Sequence, residues 1–260
     1  MFILMPTFPA YVPIAETSRL LLDRYWPNHP PLEVAVDANR EGWLGTVTRA
    51  LEARADPFVI LMLDDYGLCA PARGNLIALG AEILRNDSRA SMYSLCWYPA
   101  QRRLRYHAAP RAVELQGAPL LLQAAIWRKD WLLELAGQMD PRTSPWGFER
   151  IATQRIQRAP RTMLAADIPE PAWIGGDIVD GFDKSSWPLP YHNLMHRGQP
   201  ALEYEPFLHA QGLRFPSRGL GDTIARVTHA TGVDRIMPAG CGCAERREKL
   251  NAKLPYPAGY

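Results

Sequence analysis

The amino-acid sequence predicts an α/β fold, a mixed and mostly parallel sheet flanked by helices, followed by a short helical C-terminal tail. Three observations carry that expectation. Short β-prone runs alternate with helical runs over the first 85 residues, the order that builds a parallel sheet under helical cover. Phe58 to Leu63 (FVILML) is apolar at every position, as in a strand covered on both faces. Beyond residue 215 glycine-bounded, charge-rich segments take over, so the chain is expected to divide into a body, residues 1–215, and a basic tail, residues 216–260.

In chain order, Phe2 to Met5 is a strand, stopped by Pro6, and a helical pattern carries Leu20, Leu21 and Leu22 up to Trp26. Leu32 to Val36 is a second strand, Gly45 to Ala53 a helix, and FVILML the central strand. Asn75 to Arg85 reads as a helix, Met92 to Tyr98, Arg103 to His107 and Leu120 to Ile126 as strands, and Lys129 to Ala136 as a helix. Ser144 and Pro145 offer cap and first-turn chemistry to a helix from about Trp146 to Arg158. Residues from Pro169 to Pro200, rich in glycine, proline, tryptophan and aspartate, read as a long loop region over the site. In the tail, GLGDTIARVTHATG forms one helix, capped by Asp222 or Thr223, and CGCAERREKLNAKLP a second with a basic face.

With 260 residues, 47% of them apolar, the chain can bury a substantial core. A net charge of +2 with 22% charged residues identifies no nucleic-acid partner. The apolar opening MFILMPTFPAYVP lacks a basic leader and is broken by proline, so it reads as a buried strand and not as a signal peptide. No apolar run reaches the ~18 residues of a membrane span. Four cysteines, Cys69, Cys96, Cys241 and Cys243, are too few and unevenly spaced for a disulfide framework, which points to a reducing, cytoplasmic compartment.

The chemistry concentrates at strand ends, where ligands of doubly wound sheets bind. FVILMLDDY places Asp64 and Asp65 at the end of the buried strand. Such a pair caps a helix, pairs with arginine, or holds a cation that bridges phosphates. Glu149 in SPWGFE stands just inside a helix N-terminus, where the helix dipole alone favours a carboxylate. His192 and His196 in YHNLMHRG stand four apart, the spacing that puts two metal ligands on one helix face. Cys241-Gly242-Cys243 offers two soft ligands, half of a zinc site, or two free thiols.

LDDY, the apolar strand running into IWRKDWL, and SPWGFE, in this order and together with MPTFPAY and GWLGTVTRALEA, resemble the GT-A-type glycosyltransferases of bacteria and their phages. In those enzymes a strand ends in an Asp-Asp pair and a later loop gives a Trp-x-x-Glu motif. The resemblance covers roughly residues 1–205. It implies transfer of a sugar from a nucleotide-sugar donor, such as a UDP-sugar, to a hydroxyl acceptor. Asp65 would be the metal or diphosphate ligand, with Mn2+ or Mg2+ as the cation, Asp64 would serve the ribose or the cation, and Glu149 would be the base. Thr7, Tyr11 and Asp37 would line the nucleoside pocket, and Trp146 would meet the acceptor. Arg128, with Lys129, would neutralise phosphate, and His192, with Arg197 and Gly198, would close over the diphosphate. Tyr66 stands where a full Asp-x-Asp would have its second acid.

The segments RVTHATGVDRI and CGCAERREKLNAKLPY are similar to a terminal motif of phage-encoded proteins. A phage-borne gene acting inside a bacterial host makes two acceptors reasonable, a saccharide or surface glycan and a hydroxymethylpyrimidine of phage DNA. DNA would need phosphate contacts, for which Arg102, Arg103 and Arg105, Arg150, Arg155 and Arg158, and Arg246, Arg247 and Lys249 are candidates, each run being equally a solvated face. A flipped base would need an aromatic slot from Trp97, Tyr98, Trp146 or Trp187. The competing reading is a non-catalytic phage nucleic-acid- or assembly-binding protein with an idle α/β body. A nucleotidyltransferase ranks lower, since PTFPAYVP has no glycine-rich phosphate loop.

Overall fold

The computed structural model describes residues 1–96, 105–106, 112–115, 118–158, 162–168, 184–196, 199–213, 219–233 and 242–255. The chain forms two compact units, Met1–His192 and Asn193–Tyr260. The division expected after residue 215 falls within the second.

The first unit opens with β1 (Phe2–Thr7), α1 (Val12–Tyr25), β2 (Leu32–Val36), α2 (Trp43–Glu52) and β3 (Phe58–Leu61), the alternation read from the sequence. It continues through β4 (Tyr66–Leu68), α3 (Gly74–Asn86), β5 (Ala90–Ser94), β6 (Arg105–Tyr106), β7 (Ala112–Glu114) and β8 (Ala125–Arg128). Then come α4 (Lys129–Ala136), α5 (Pro145–Arg158), β9 (Thr162–Ala166) and β10 (Tyr191–Asn193). Eight strands form one sheet in the order β2-β1-β3-β8-β5-β9-β7-β6, and β10 pairs separately with β4. The three strands β2, β1 and β3 are mutually parallel, as are β5 and β9, while β8 and β7 run against them. The sheet is thus mixed and mostly parallel, with helices on its faces.

Because β8 is antiparallel to β3, Ala125 pairs with Leu61 and Arg128 with Phe58. Its first residue therefore lies at the edge where β3 ends, and its last at the opposite edge. One face of the sheet packs Phe2, Leu4, Val59, Leu61 and Trp127 against α2, α4 and α5, with Trp43, Leu51, Trp131 and Phe148 in the same buried cluster. Trp127 stacks on Trp131 with ring centroids 5.4 Å apart. The alternate residues Ile3, Ile60 and Tyr93 are fully covered too, which is why every position of β3 is apolar. Close cover on that face requires Gly80 in α3, since a Cβ there would stand 2.3 Å from the Tyr93 ring.

Several expected elements differ: β1 runs through Pro6 to Thr7, and the strand expected over Met92 to Tyr98 is Ala90–Ser94, with residues 97–98 outside the described residues. The strand foreseen over Leu120 to Ile126 begins only at Ala125, because the Leu120 and Leu122 amides donate to the side chains of Thr153 and Glu149 and not to a neighbouring strand. The central strand ends at Leu61, although the Met62 amide still donates to the Leu4 carbonyl at 3.1 Å. His192 and His196 stand in the strands β10 and β11, not on one helix face, so the i, i+4 metal-ligand geometry does not arise. Of the proline-rich region, residues 169–183 lie outside the described residues.

The second unit holds β11 (Met195–His196) and β12 (Gln199–Pro200), paired antiparallel, then α6 (Glu205–Ala210), α7 (Leu220–Ala230) and α8 (Cys243–Lys253). Asp222 does not cap α7. It is buried, accepts from Arg247 Nε and Asn251 Nδ2, each at 2.7 Å, and so ties α7 to α8. Cys243 is disulfide-bonded, so it is neither the free thiol nor the soft metal ligand that the Cys-Gly-Cys spacing allowed, whereas Cys69 and Cys96 form no disulfide. Cys241 lies outside the described residues.

Candidate active site

The carboxyl edge of the sheet is where β1, β2, β3 and β5 end, and polar residues gather there. Asp64 and Asp65 form the turn after β3. Thr7, the last residue of β1, donates its hydroxyl to Asp64 Oδ2 at 2.6 Å, and Ser18 of α1 donates to the Asp64 carbonyl at 2.7 Å. Two elements distant in sequence thereby hold this turn. Burial pushes the Asp64 carboxyl up to about 6, against the opposing pull of Thr7 and of the Asp64 and Asp65 backbone amides. Its donors are a hydroxyl and backbone amides, and a carboxyl shifted by burial at the end of a strand is a common mark of a functional site.

Glu149 arrives at this edge from the other direction. Ser144 accepts from the Gly147 amide at 3.2 Å and opens α5, with Pro145 in its first turn. Phe148, fully buried against Trp43 at 5.8 Å, anchors that turn in the core. The half-buried Glu149 beside it accepts the Leu122 amide on Oε1 at 2.6 Å. Burial raises its carboxyl above the ordinary range, partly offset by that amide, which moves it toward the pKa of an effective base near neutral pH.

Between the two acids lies a group that sequence reasoning missed. Tyr66, next in the chain after Asp65, is buried and donates its hydroxyl to the Leu122 carbonyl at 3.0 Å. Its ring stacks on Tyr191 of β10 at 4.0 Å. Burial, and then the charges of Asp65, Cys96 and Glu149, hold its phenol well above the usual value, so it stays a donor. Lys184, only 4% exposed, donates to the Tyr191 carbonyl at 2.6 Å and lies 5.5 Å from the ring centroids of Trp187 and Tyr191. The Cys96 thiol, pushed up to about 12 by burial, donates to Gln123 Oε1 at 2.7 Å. No motif marks these residues; the one signal was Tyr66 breaking the acidic run.

The remaining sequence-derived candidates divide by position. Asp37 follows β2 at the same edge, where its carboxylate accepts the Glu41 and Gly42 amides at 2.8 and 3.2 Å. Gly42, at φ 91°, permits that turn. Tyr11 closes the short turn Pro9–Tyr11 that leads into α1. Trp146, 78% exposed, stands in the first turn of α5, one turn before the exposed Arg150. His192 adjoins Tyr191 on β10.

Arg128 is not brought to this edge. It lies at the opposite one, where its guanidinium donates to the carbonyls of Ala90 at 2.7 Å, Asp87 at 3.0 Å and Leu84, at the end of α3. Lys129 there donates to the Arg54 carbonyl. Arg155 is bound to Gln138 and Arg247 to Asp222, while Arg158 and Lys249 are exposed. Trp97, Tyr98, Arg102, Arg103, Arg197 and Gly198 lie outside the described residues, as does the side chain of Arg105.

Among the described residues no group of three His, Cys, Asp or Glu side chains could hold a metal ion, and no helix is long and apolar enough to cross a membrane. A divalent cation of the Mg2+ kind commonly takes one or two carboxylates, its shell completed by water and substrate phosphates.

No family model matches the sequence, and no curated protein matches it. Among solved structures, the chain is similar to CMP:2-keto-3-deoxy-manno-octonic acid synthetase complexed with CTP, over 63% of this chain and 88% of that one, at 10% identity and a TM-score of 0.34. It is also similar to the bifunctional IspDF from Campylobacter jejuni, at 12% identity and a TM-score of 0.34, covering 72% of this chain and 52% of that one. Likeness at this level assigns neither family nor activity.

Proposed function

We propose that the carboxyl edge binds a nucleotide sugar and that the protein transfers the sugar to a hydroxyl acceptor. The observation that carries this reading is the Asp64–Asp65 turn at the end of a central strand, pinned by Thr7 and Ser18 and linked to Glu149 through Leu122. In it, Asp65 holds the cation or the donor diphosphate, Asp64 the ribose or the same cation, and Thr7, Tyr11 and Asp37 the nucleoside. His192 lies over the diphosphate, and Trp146 meets the acceptor. A bound Mn2+ or Mg2+ would supply positive charge to the leaving diphosphate.

The acceptor hydroxyl attacks the anomeric carbon, and its proton passes to Glu149. The bond from that carbon to the diphosphate oxygen breaks, and the nucleoside diphosphate leaves with the bonding electrons. Burial serves Glu149 by raising its proton affinity above that of an ordinary carboxylate, the direction a general base needs. The acceptor is a saccharide or a hydroxymethylpyrimidine of DNA, and the exposed Trp146 and Arg150, one turn apart on α5, are compatible with both.

The test is a mass-spectrometric transfer screen with a panel of nucleotide sugars, manganese or magnesium, and either glycans or hydroxymethylpyrimidine-containing DNA. A hexose-sized mass gain on one acceptor establishes the activity and chooses between them. No donor hydrolysis and no transfer under any condition overturns it and favours a binding protein. Nucleoside triphosphates belong in the same panel, since their consumption with release of diphosphate would instead mean nucleotidyl transfer.

A further inference from the structure

We propose that Tyr66 is a positioning residue of this site, a rigid spacer that sets the distance between the Asp64–Asp65 turn and Glu149 by holding Leu122. The proposal rests on the reading above and adds a residue to it. Leu122 lies in residues 118–124, which precede β8 outside any strand; the Ala124 carbonyl accepts from the Leu95 amide at 2.9 Å, and side chains hold Leu120 to Gln123. On the α5 side, Leu120 donates to Thr153 Oγ1 at 2.9 Å and Leu122 to Glu149 Oε1 at 2.6 Å. Residues 149 and 153 stand one helical turn apart, so the two bonds lay the segment along the helix. On the sheet side, the Tyr66 hydroxyl donates to the Leu122 carbonyl at 3.0 Å, and Gln123 accepts from Cys96 at 2.7 Å.

Both polar groups of Leu122 are therefore used, the carbonyl toward the acidic turn and the amide toward the base. The Tyr66 backbone is joined directly to Asp65, and its ring cannot swing, being buried and stacked on Tyr191 at 4.0 Å and 18°. The length of one phenol thus spans the gap between the donor turn and the segment that holds Glu149. Misplacement of a reacting group by about 1 Å costs on the order of 100-fold in rate, so a loosened Leu122 is felt at the chemical step and little in donor affinity.

Tyr66→Phe keeps the ring and its stacking and removes the tie. In the full-length protein with its best donor, kcat should fall on the order of 10-fold to 100-fold while the donor KM stays within about twofold. The Leu122 amide should exchange faster with solvent. The acid limb of kcat should move to higher pH, since Glu149 loses a donor that now favours its charged form. A folded variant with unchanged kcat and unchanged Leu122 exchange overturns the proposal. Should the variant not fold, 3-fluorotyrosine placed at position 66 keeps the shape and gives a fluorine resonance to follow. Glu149→Gln keeps an acceptor for the Leu122 amide, whereas Glu149→Ala removes it. A larger shift in the alanine variant supports the link, and equal shifts overturn it. If the wild-type protein turns over no donor, the reading of the preceding section fails, while the exchange and fluorine measurements still decide whether Tyr66 and Glu149 are linked.

Discussion

The two edges of the sheet carry the same kinds of residue and use them in opposite ways. At the edge where β3 begins, charges are answered. Arg128 is spent on carbonyls at the end of α3 and on Ala90, Lys129 on the Arg54 carbonyl, and Asp56 is held below the usual carboxylate range by the Met1 ammonium at 2.7 Å and by Arg54. At the edge where β3 ends, Asp64 and Glu149 are held by hydroxyl and amide groups, and burial pushes both upward. The first edge lowers the free energy of the fold. The second keeps carboxylates in an environment that costs stability, and such a cost is characteristic of sites kept for a ligand or a reaction.

The sharpest way to break this comparison is to exchange one residue at each edge. Glu149→Gln preserves the acceptor for Leu122 and removes the base, so kcat should fall by about 100-fold or more with donor binding near wild type and the melting temperature at or above it. Unchanged turnover in the screen above would remove Glu149 from that role. Arg128→Met should do the reverse, costing about 2–4 kcal/mol in chemical denaturation because buried carbonyls lose a charged donor, with donor binding intact. A loss of donor affinity without loss of stability would place Arg128 in the site after all.

A smaller effect tests the cost itself. Because the folded-state pKa of Asp64 lies above the unfolded one, the folded chain keeps the proton from the ordinary carboxyl range up to about 6, and stability falls as pH rises through that window. Asp64→Asn should therefore gain about 1–3 kcal/mol at pH 8 and little at pH 4, while weakening donor binding. Denaturation curves that are parallel in pH for both proteins would show that Asp64 carries no such cost. The smallest effect belongs to the tail. We propose that residues 1–215 fold without residues 216–260, so the shortened chain should melt within a few degrees of the whole in a calorimeter. An insoluble product would mean that the boundary lies elsewhere and that the tail completes the core.

Elements whose signal is local were legible. Leu32–Val36 and Lys129–Ala136 occupy the residues their periodicity marks, and the Ser144–Pro145 start of α5 is made by the side chain that announced it. Reading failed where a partner distant in sequence competes for the backbone. The β-prone stretch Leu120 to Ala124 loses its strand because Thr153 and Glu149 take its amides. Asp222, a cap by sequence, is drawn instead to Arg247 and Asn251. Of the candidate site, Asp64, Asp65 and Glu149 were visible as polar groups at the end of an apolar run or at a helix start, and Thr7 only through the family resemblance. Tyr66, Lys184 and Cys96 were not, since a buried aromatic, lysine or thiol follows from packing and carries no spacing rule.

The layered α/β plan, the covered central strand and the acids at its end are written in neighbouring residues, because apolar runs and helix starts are local properties. That β8 runs antiparallel between β3 and β5 emerges from the folded sheet alone. That single direction sends Arg128 to the far edge and brings Leu122, with Glu149 on its amide, to the near one. Strand direction is chosen by the packing of the whole sheet, and no short stretch of chain encodes it.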